Sequence, residues 1–167
     1  MSLSMYQASV PVYIRMLNNL IAIMEKAAAH CEANKIDPAA LIDFRLYPDM
    51  FAFAKQVQVA CDHAKNGAAR LAGVEGPEIG GGEKSFADLI ERAKKTIAYL
   101  ESFKPEQIDG AEEREVVLKR GDTVTTYRGQ DFLLNRALPN LFFHITTAYD
   151  ILRHNGVELG KKDYLGK

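Results

Sequence analysis

Apolar residues recur every three or four positions over four stretches of this chain, and each stretch predicts a helix with one face turned to a core. In the first, Val10, Ile14, Leu17, Ile21, Met24 and Ala28 form a heptad-like seam that ends before a break at residues 34–38. Its start is set either by Ser9 or by Ser4 with Gln7 as a capping box; the second choice would put Pro11 in the second turn. The second seam is Met50, Ala54, Val57, Cys61, Ala64, Ala68 and Leu71, with Gly73 as its C-terminal stop. Small residues at Ala54, Ala60, Ala64 and Ala68 admit a neighbouring helix at close range. The third seam, Phe86, Ile90, Ala93, Ile97 and Leu100, opens on Ser85 and Asp88 as a capping pair and stops ahead of Pro105. The fourth covers 139–156, where Leu141, His144, Ile145, Ala148, Ile151 and Leu152 share a stripe between Pro139 and the Asn155-Gly156 stop.

The connections are of different kinds. Residues 40–49 have no clean period and read as an ordered link laid over the end of the helices. Residues 76–85, GPEIGGGEKS, follow no strand and do not match GxxxxGK[ST], so they read as a flexible helix connection and not as a phosphate loop. Val, Thr and Tyr at 115–119 and 123–128 flank Arg120-Gly121-Asp122 and predict a hairpin. Helical signal returns at 131–137, and 157–167 reads as a surface tail in which Tyr164 and Leu165 can dock. The expected fold is all-α: a four-helix bundle of up-down type, one domain over 1–167, with a small β-hairpin between the third and fourth helices.

Charge narrows the partners. Lys and Arg number 21 against 22 Asp and Glu, a formal net charge of −1, so no global basic field draws in nucleic acid or an anionic membrane, and neither is expected as a partner. Cys31 and Cys61 sit in helical contexts without CxxC spacing and read as reduced core thiols. With no leader-type segment and no apolar run of membrane length, the expected location is the cytoplasm.

The chemistry on offer is a histidine on a core-facing stripe. His144 loses hydration among Leu, Phe and Ile, at a cost on the order of 1–3 kcal/mol unless its ring nitrogens find partners. Asn140 shares its face one turn earlier; Gln56 and His63 lie two turns apart on one side of the second helix. A zinc or nickel site wants three imidazole or carboxylate ligands and an open position, and the Asn140 carboxamide is a poor third ligand. The competing reading gives His144 a hydrogen bond to a buried carbonyl or hydroxyl and leaves His63 partly exposed. His30 and His154, near helix ends, suit dipole and capping roles. Neither cysteine has a base at readable spacing, and Ser85 already caps a helix, so no nucleophile stands out.

The stretches LIDFRLYPDM, VQVACDHAK and LPNLFFHITTAYDILRHNGVELGKKDYLG carry a resemblance, over essentially the whole chain, to the DinB-like (YfiT-like) superfamily of four-helix bundles, in a bacterial branch of unknown function. The resemblance implies a homodimer and a divalent metal held by three histidines, in a superfamily that includes thiol-dependent transferases and isomerases. Placed by Leu152-Arg153 and Gly156, the HxxxH pattern of the fourth helix puts its second histidine on His144 and its first on Asn140. The ligand of the second helix corresponds to His63 or Gln56. Metal candidates are therefore His63, His144 and Asn140. Three functions are expected in turn: a bundle with a degenerate or lost metal site, no resident cofactor and a small-molecule ligand; a zinc- or nickel-dependent thiol transferase-like enzyme using His63 and His144, its shell completed by water, Asp43 or Asp49; and a non-catalytic homodimer.

Overall fold

The computed structural model of the protein describes residues 3–166. Helix α1 (Val10–Asn34) begins after Ser9, so that Pro11 falls at its very start, where a missing N–H leaves no bond unmade. Ser4 and Gln7 nevertheless exchange capping bonds, Ser4 N–H to Gln7 Oε1 at 3.3 Å and Gln7 N–H to Ser4 Oγ at 3.2 Å, around a turn that precedes the helix. Lys35, at φ 54°, ends α1 in the left-handed region with its N–H on the Cys31 and Glu32 carbonyls.

The link after it holds one helical turn, α2 (Ala39–Ile42), pinned by buried Leu41 and Ile42. Helix α3 (Phe53–Ala72) starts later than the spacing from Met50 suggests, because Ala52 is extended and the Phe53 N–H is taken by the Phe44 carbonyl at 2.9 Å. Gly73, at φ 70°, closes it. Ala60, Ala64 and Ala68 are buried as small contact residues, while Ala54 is only half-buried. Gly67 joins them: a Cβ there would stand 2.6 Å from the Tyr13 hydroxyl oxygen on α1. That hydroxyl is fully buried with no hydrogen-bond partner among the described residues, and burial raises its pKa well above the usual phenol range. An unpartnered buried hydroxyl costs about 1–3 kcal/mol. Tyr13→Phe should accordingly stabilise the protein by about 1 kcal/mol in urea unfolding; a loss of that size would mean the hydroxyl is satisfied in solution.

Helix α4 (Phe86–Glu101) opens on the expected capping box, Asp88 N–H to Ser85 Oγ and Ser85 N–H to Asp88 Oδ2, both 3.1 Å. Its buried face is wider than the expected seam: Phe86, Ala93, Ile97 and Leu100 are buried as expected, Leu89, Arg92 and Thr96 join them, and Ile90 is only half-buried. Arg92 is 5% exposed, and the reason is the glycine-rich connection. Its Nη1 donates to the carbonyls of Ile79 (3.3 Å) and Gly80 and to Glu83 Oε1 (2.8 Å), while Nη2 donates to Asp62 Oδ1 on α3 (2.9 Å). Gln58 Nε2 takes the other Glu83 oxygen at 2.8 Å. Burial alone would raise the Glu83 carboxyl, but bonds from its own backbone, Arg92 and Gln58, with the guanidinium charge, outweigh it and hold the pKa low. The connection expected to be flexible is tied to two helices by one side chain.

After α5 (Pro105–Ile108), strands β1 (Glu115–Arg120) and β2 (Thr123–Arg128) pair antiparallel from Glu115↔Arg128 to Arg120↔Thr123. Gly121-Asp122 is the two-residue turn, with Gly121 at φ 57°. Helix α6 (Gly129–Phe132), a π-helical turn (Leu133–Ala137) and α7 (Leu138–His154) then run on as one helical rod, so the separate signals at 131–137 and 139–156 are one element. Pro139 explains the widened turn. A proline has no N–H to give the carbonyl four residues back and its ring crowds that carbonyl; a π turn, with the Leu138 N–H on Leu133 O, relieves both. The tail forms α8 (Lys161–Leu165), docked on α1 by Asn19 Nδ2 to Tyr164 O and Arg15 Nη2 to Leu165 O, each 2.9 Å, and by Lys26 to Asp163 at 2.7 Å.

The fold is mostly helical with one small antiparallel hairpin. Helix α3 packs on α7 and α4, and α1 on α4, α7 and α8, around a core of residues such as Leu17, Leu20, Val57, Leu89, Leu141 and Ile145. Among the described residues no helix is long and apolar enough to cross a membrane.

Candidate functional site

The expected site residues meet where α3 faces α7. Gln56, 2% exposed, and His63, half-buried, come from α3; His144, 8% exposed, comes from α7. The hydrogen bond foreseen for His144 goes to a buried carbonyl, that of the Gln56 side chain: its Nδ1 lies 2.7 Å from Gln56 Oε1. Gln56 Nε2 donates to Phe51 O at 3.2 Å, which fixes which end of the carboxamide faces the imidazole. A carboxamide oxygen only accepts, so Nδ1 carries the proton and Nε2 keeps a free lone pair. Burial lowers the His144 pKa, favouring this neutral form.

The His63 ring lies nearly parallel to that of His144, 5.4 Å between centroids and 14° between planes. Burial first, then the charges of His144, Arg136 and Arg70, lower the His63 pKa to about 4, against a small opposing pull from Asp62. The unfolded chain takes up the His63 proton near pH 6.5, the folded chain only near 4, so stability should fall as pH drops through that window and level off below it. His63→Gln should flatten the slope of unfolding free energy between pH 6.5 and 4; an unchanged slope would remove His63 as its source.

Asn140 does not turn toward the histidines: its Nδ2 donates to Arg136 O, one turn back, at 2.6 Å. Asp43 and Asp49 are exposed, and among the described residues no three His, Cys, Asp or Glu side chains are grouped to hold a metal ion. Two imidazoles are one short of a zinc or nickel donor set, and the guanidinium groups of Arg70 and Arg136 would repel a divalent cation there. Phe51 and Phe143 flank His144 with centroids 6.5 and 5.1 Å away and are 49% and 58% exposed, giving the histidine pair an apolar mouth.

Beside His63 opens a cavity of about 200 Å³ whose other walls include Arg70, Phe132, Arg136, Lys119 and Arg120. A larger hollow of about 740 Å³ lies between the end of α1 and residues 157–163, but its Lys26 and Asp163 are already paired with each other. Cys31 and Cys61 are buried free thiols, and burial pushes Cys61 up to about 12, so neither is a nucleophile. The cationic cavity was missed in the sequence. Its residues come from three segments far apart in the chain, and the only local hint was the run of Lys119 and Arg120 at the tip of an exposed strand.

A polar cluster facing inward between two long helices is the usual form of a site in a helical bundle. A crystal structure of a DinB family member protein from Shewanella denitrificans is similar over 97% of this chain and 92% of its own, at 42% identity and a TM-score of 0.87. Residues 5–165 match the family described as a domain of unknown function, DUF1993, and the chain belongs to that family. No curated protein matches it.

Proposed function

We propose that the protein is a single up-and-down four-helix unit of DinB-like kind in which the metal position is degenerate, and that the cleft beside His63 and His144 binds a small molecule. The observation that carries this reading is the donor set: Gln56, His63 and His144 meet as one carboxamide and two imidazoles, and among the described residues no third His, Cys, Asp or Glu is grouped with them. Asn140, bonded back to its own helix, supports it, as does the positive charge at Arg70 and Arg136. Buried reduced thiols fit a cytoplasmic setting. Exposed Phe143 and Leu134, on the α6 to α7 rod, fit a homodimer, which sedimentation equilibrium would test.

Titration of the purified protein with zinc and with nickel, alongside elemental analysis, tests the degenerate-site reading. The expected result is no stoichiometric metal and no binding step that His144→Ala removes. Near-stoichiometric metal lost in His144→Ala and in His63→Ala would overturn it in favour of a metal-dependent, thiol transferase-like enzyme using those two histidines.

A further inference from the structure

We propose that the cavity between α3, the π turn and the hairpin is a site for a small organic carboxylate, gripped by the guanidinium groups of Arg70 and Arg136. The inference rests on the small-molecule reading above and narrows its ligand to an anion. Arg70, Lys119, Arg120 and Arg136 all line this one cavity, no carboxylate lines it, and none of the four is paired with a carboxylate among the described residues. Elsewhere in the interior the rule is the opposite: Arg92 and Lys65, both buried, are matched to Asp62 and Glu83. Asp62, the acid next to His63 in sequence, is thus already engaged.

Half-buried Arg70 also carries no hydrogen bond from its guanidinium to another described residue, while desolvation and, after it, the charge of Arg136 work against its own charge. An arginine cannot shed its proton to relieve this, and an anion placed between the two would offset it. The planar fork of a guanidinium matches a carboxylate with two parallel bonds. Phe132 supports Arg70 from below, with Cζ 5.9 Å from the ring centroid, and Leu118 and Ala137 add apolar wall. Those walls call for a ligand with an apolar body, and about 200 Å³ is below the usual range for drug-sized ligands, so the cavity suits a compact acid and is too small for a nucleotide.

Isothermal titration of the full chain with benzoate, at constant ionic strength, tests this, with benzamide and inorganic phosphate as comparators. Benzoate should bind saturably at one site, about tenfold or more tighter than benzamide, and should weaken about tenfold or more in Arg136→Gln and Arg70→Gln but not in Arg153→Gln on the far end of α7. Arg136 is exposed, so its variant keeps the test valid if Arg70→Gln does not fold. No saturable benzoate binding, binding unaffected by Arg136→Gln, or phosphate binding without benzoate would each overturn the carboxylate site. Benzamide binding as tightly as benzoate would overturn it while leaving the small-molecule reading in place, and the metal titrations above stand apart from either result.

Discussion

Gly129→Ala will abolish the native fold or cost at least about 4 kcal/mol, the largest effect expected of any single methyl added to this chain. A Cβ at residue 129 lands on the carbonyl oxygen of Ala111 and 3.0 Å from its carbonyl carbon. What it strikes is backbone. Ala111 is fully buried, and its loop is held by Ala111 N–H to Ile108 O and Arg114 N–H to Ala111 O, both 3.1 Å, and by Gln130 N–H to Glu112 O at 3.0 Å. The glycine is needed for close approach and not for a left-handed conformation, since its φ is not positive. Gly80→Ala is the matched control, because nothing lies within 4 Å of a Cβ there and its effect should stay within about 0.5 kcal/mol. Circular dichroism melts of the two variants decide the matter, and a native-like melt for Gly129→Ala would mean that the 111–114 loop can shift.

Arg92→Met should cost about 3–5 kcal/mol, the range for removing one partner of a buried ionic network. The loss falls unevenly. The Asp62 side chain is 38% exposed and can be rehydrated, whereas that of Glu83 is 11% exposed and is left as a largely buried charge held by Gln58 and its own backbone N–H. Adding Glu83→Gln should therefore recover about 1–2 kcal/mol, a coupling that urea unfolding of the single and double variants measures directly. Limited proteolysis supplies a second readout, because the 76–85 loop, released from α4, should be cut first. A cost below about 1 kcal/mol with unchanged cleavage would mean that the loop is held by something else.

Helix existence was legible in the sequence because four seams repeat at the helical period, and the capping box at Ser85 and the stop at Gly73 are local signals that nothing downstream can change. The widened face of α4, with Arg92 turned inward, was not legible. An arginine on the border of an apolar stripe is normally solvated, and Arg92 turns inward only because a glycine-rich loop, remote in its own local logic, offers two carbonyls and a carboxylate. The π turn could have been anticipated from Pro139 behind a continuous helical signal; the break was instead placed between two elements. For the site, helical spacing placed His144 and Gln56 on inward faces but said nothing of which would bond to which, since that depends on how far two helices slide along each other. Asn140 shows the same limit from the other side: it shares a helix face with His144, yet its carboxamide bonds to a carbonyl of its own helix.

The hairpin has a consequence for the cavity. Of its twelve residues only Val116 is buried, with Leu118 and Tyr127 half-covered, so the ladder between β1 and β2 is held chiefly by its own backbone bonds. Such a unit opens at a small fraction of the free energy that separates the helices. Leu118, Lys119 and Arg120 therefore wall the cavity from the part of the molecule that opens most readily, whereas Arg70 and Arg136 wall it from the helical core.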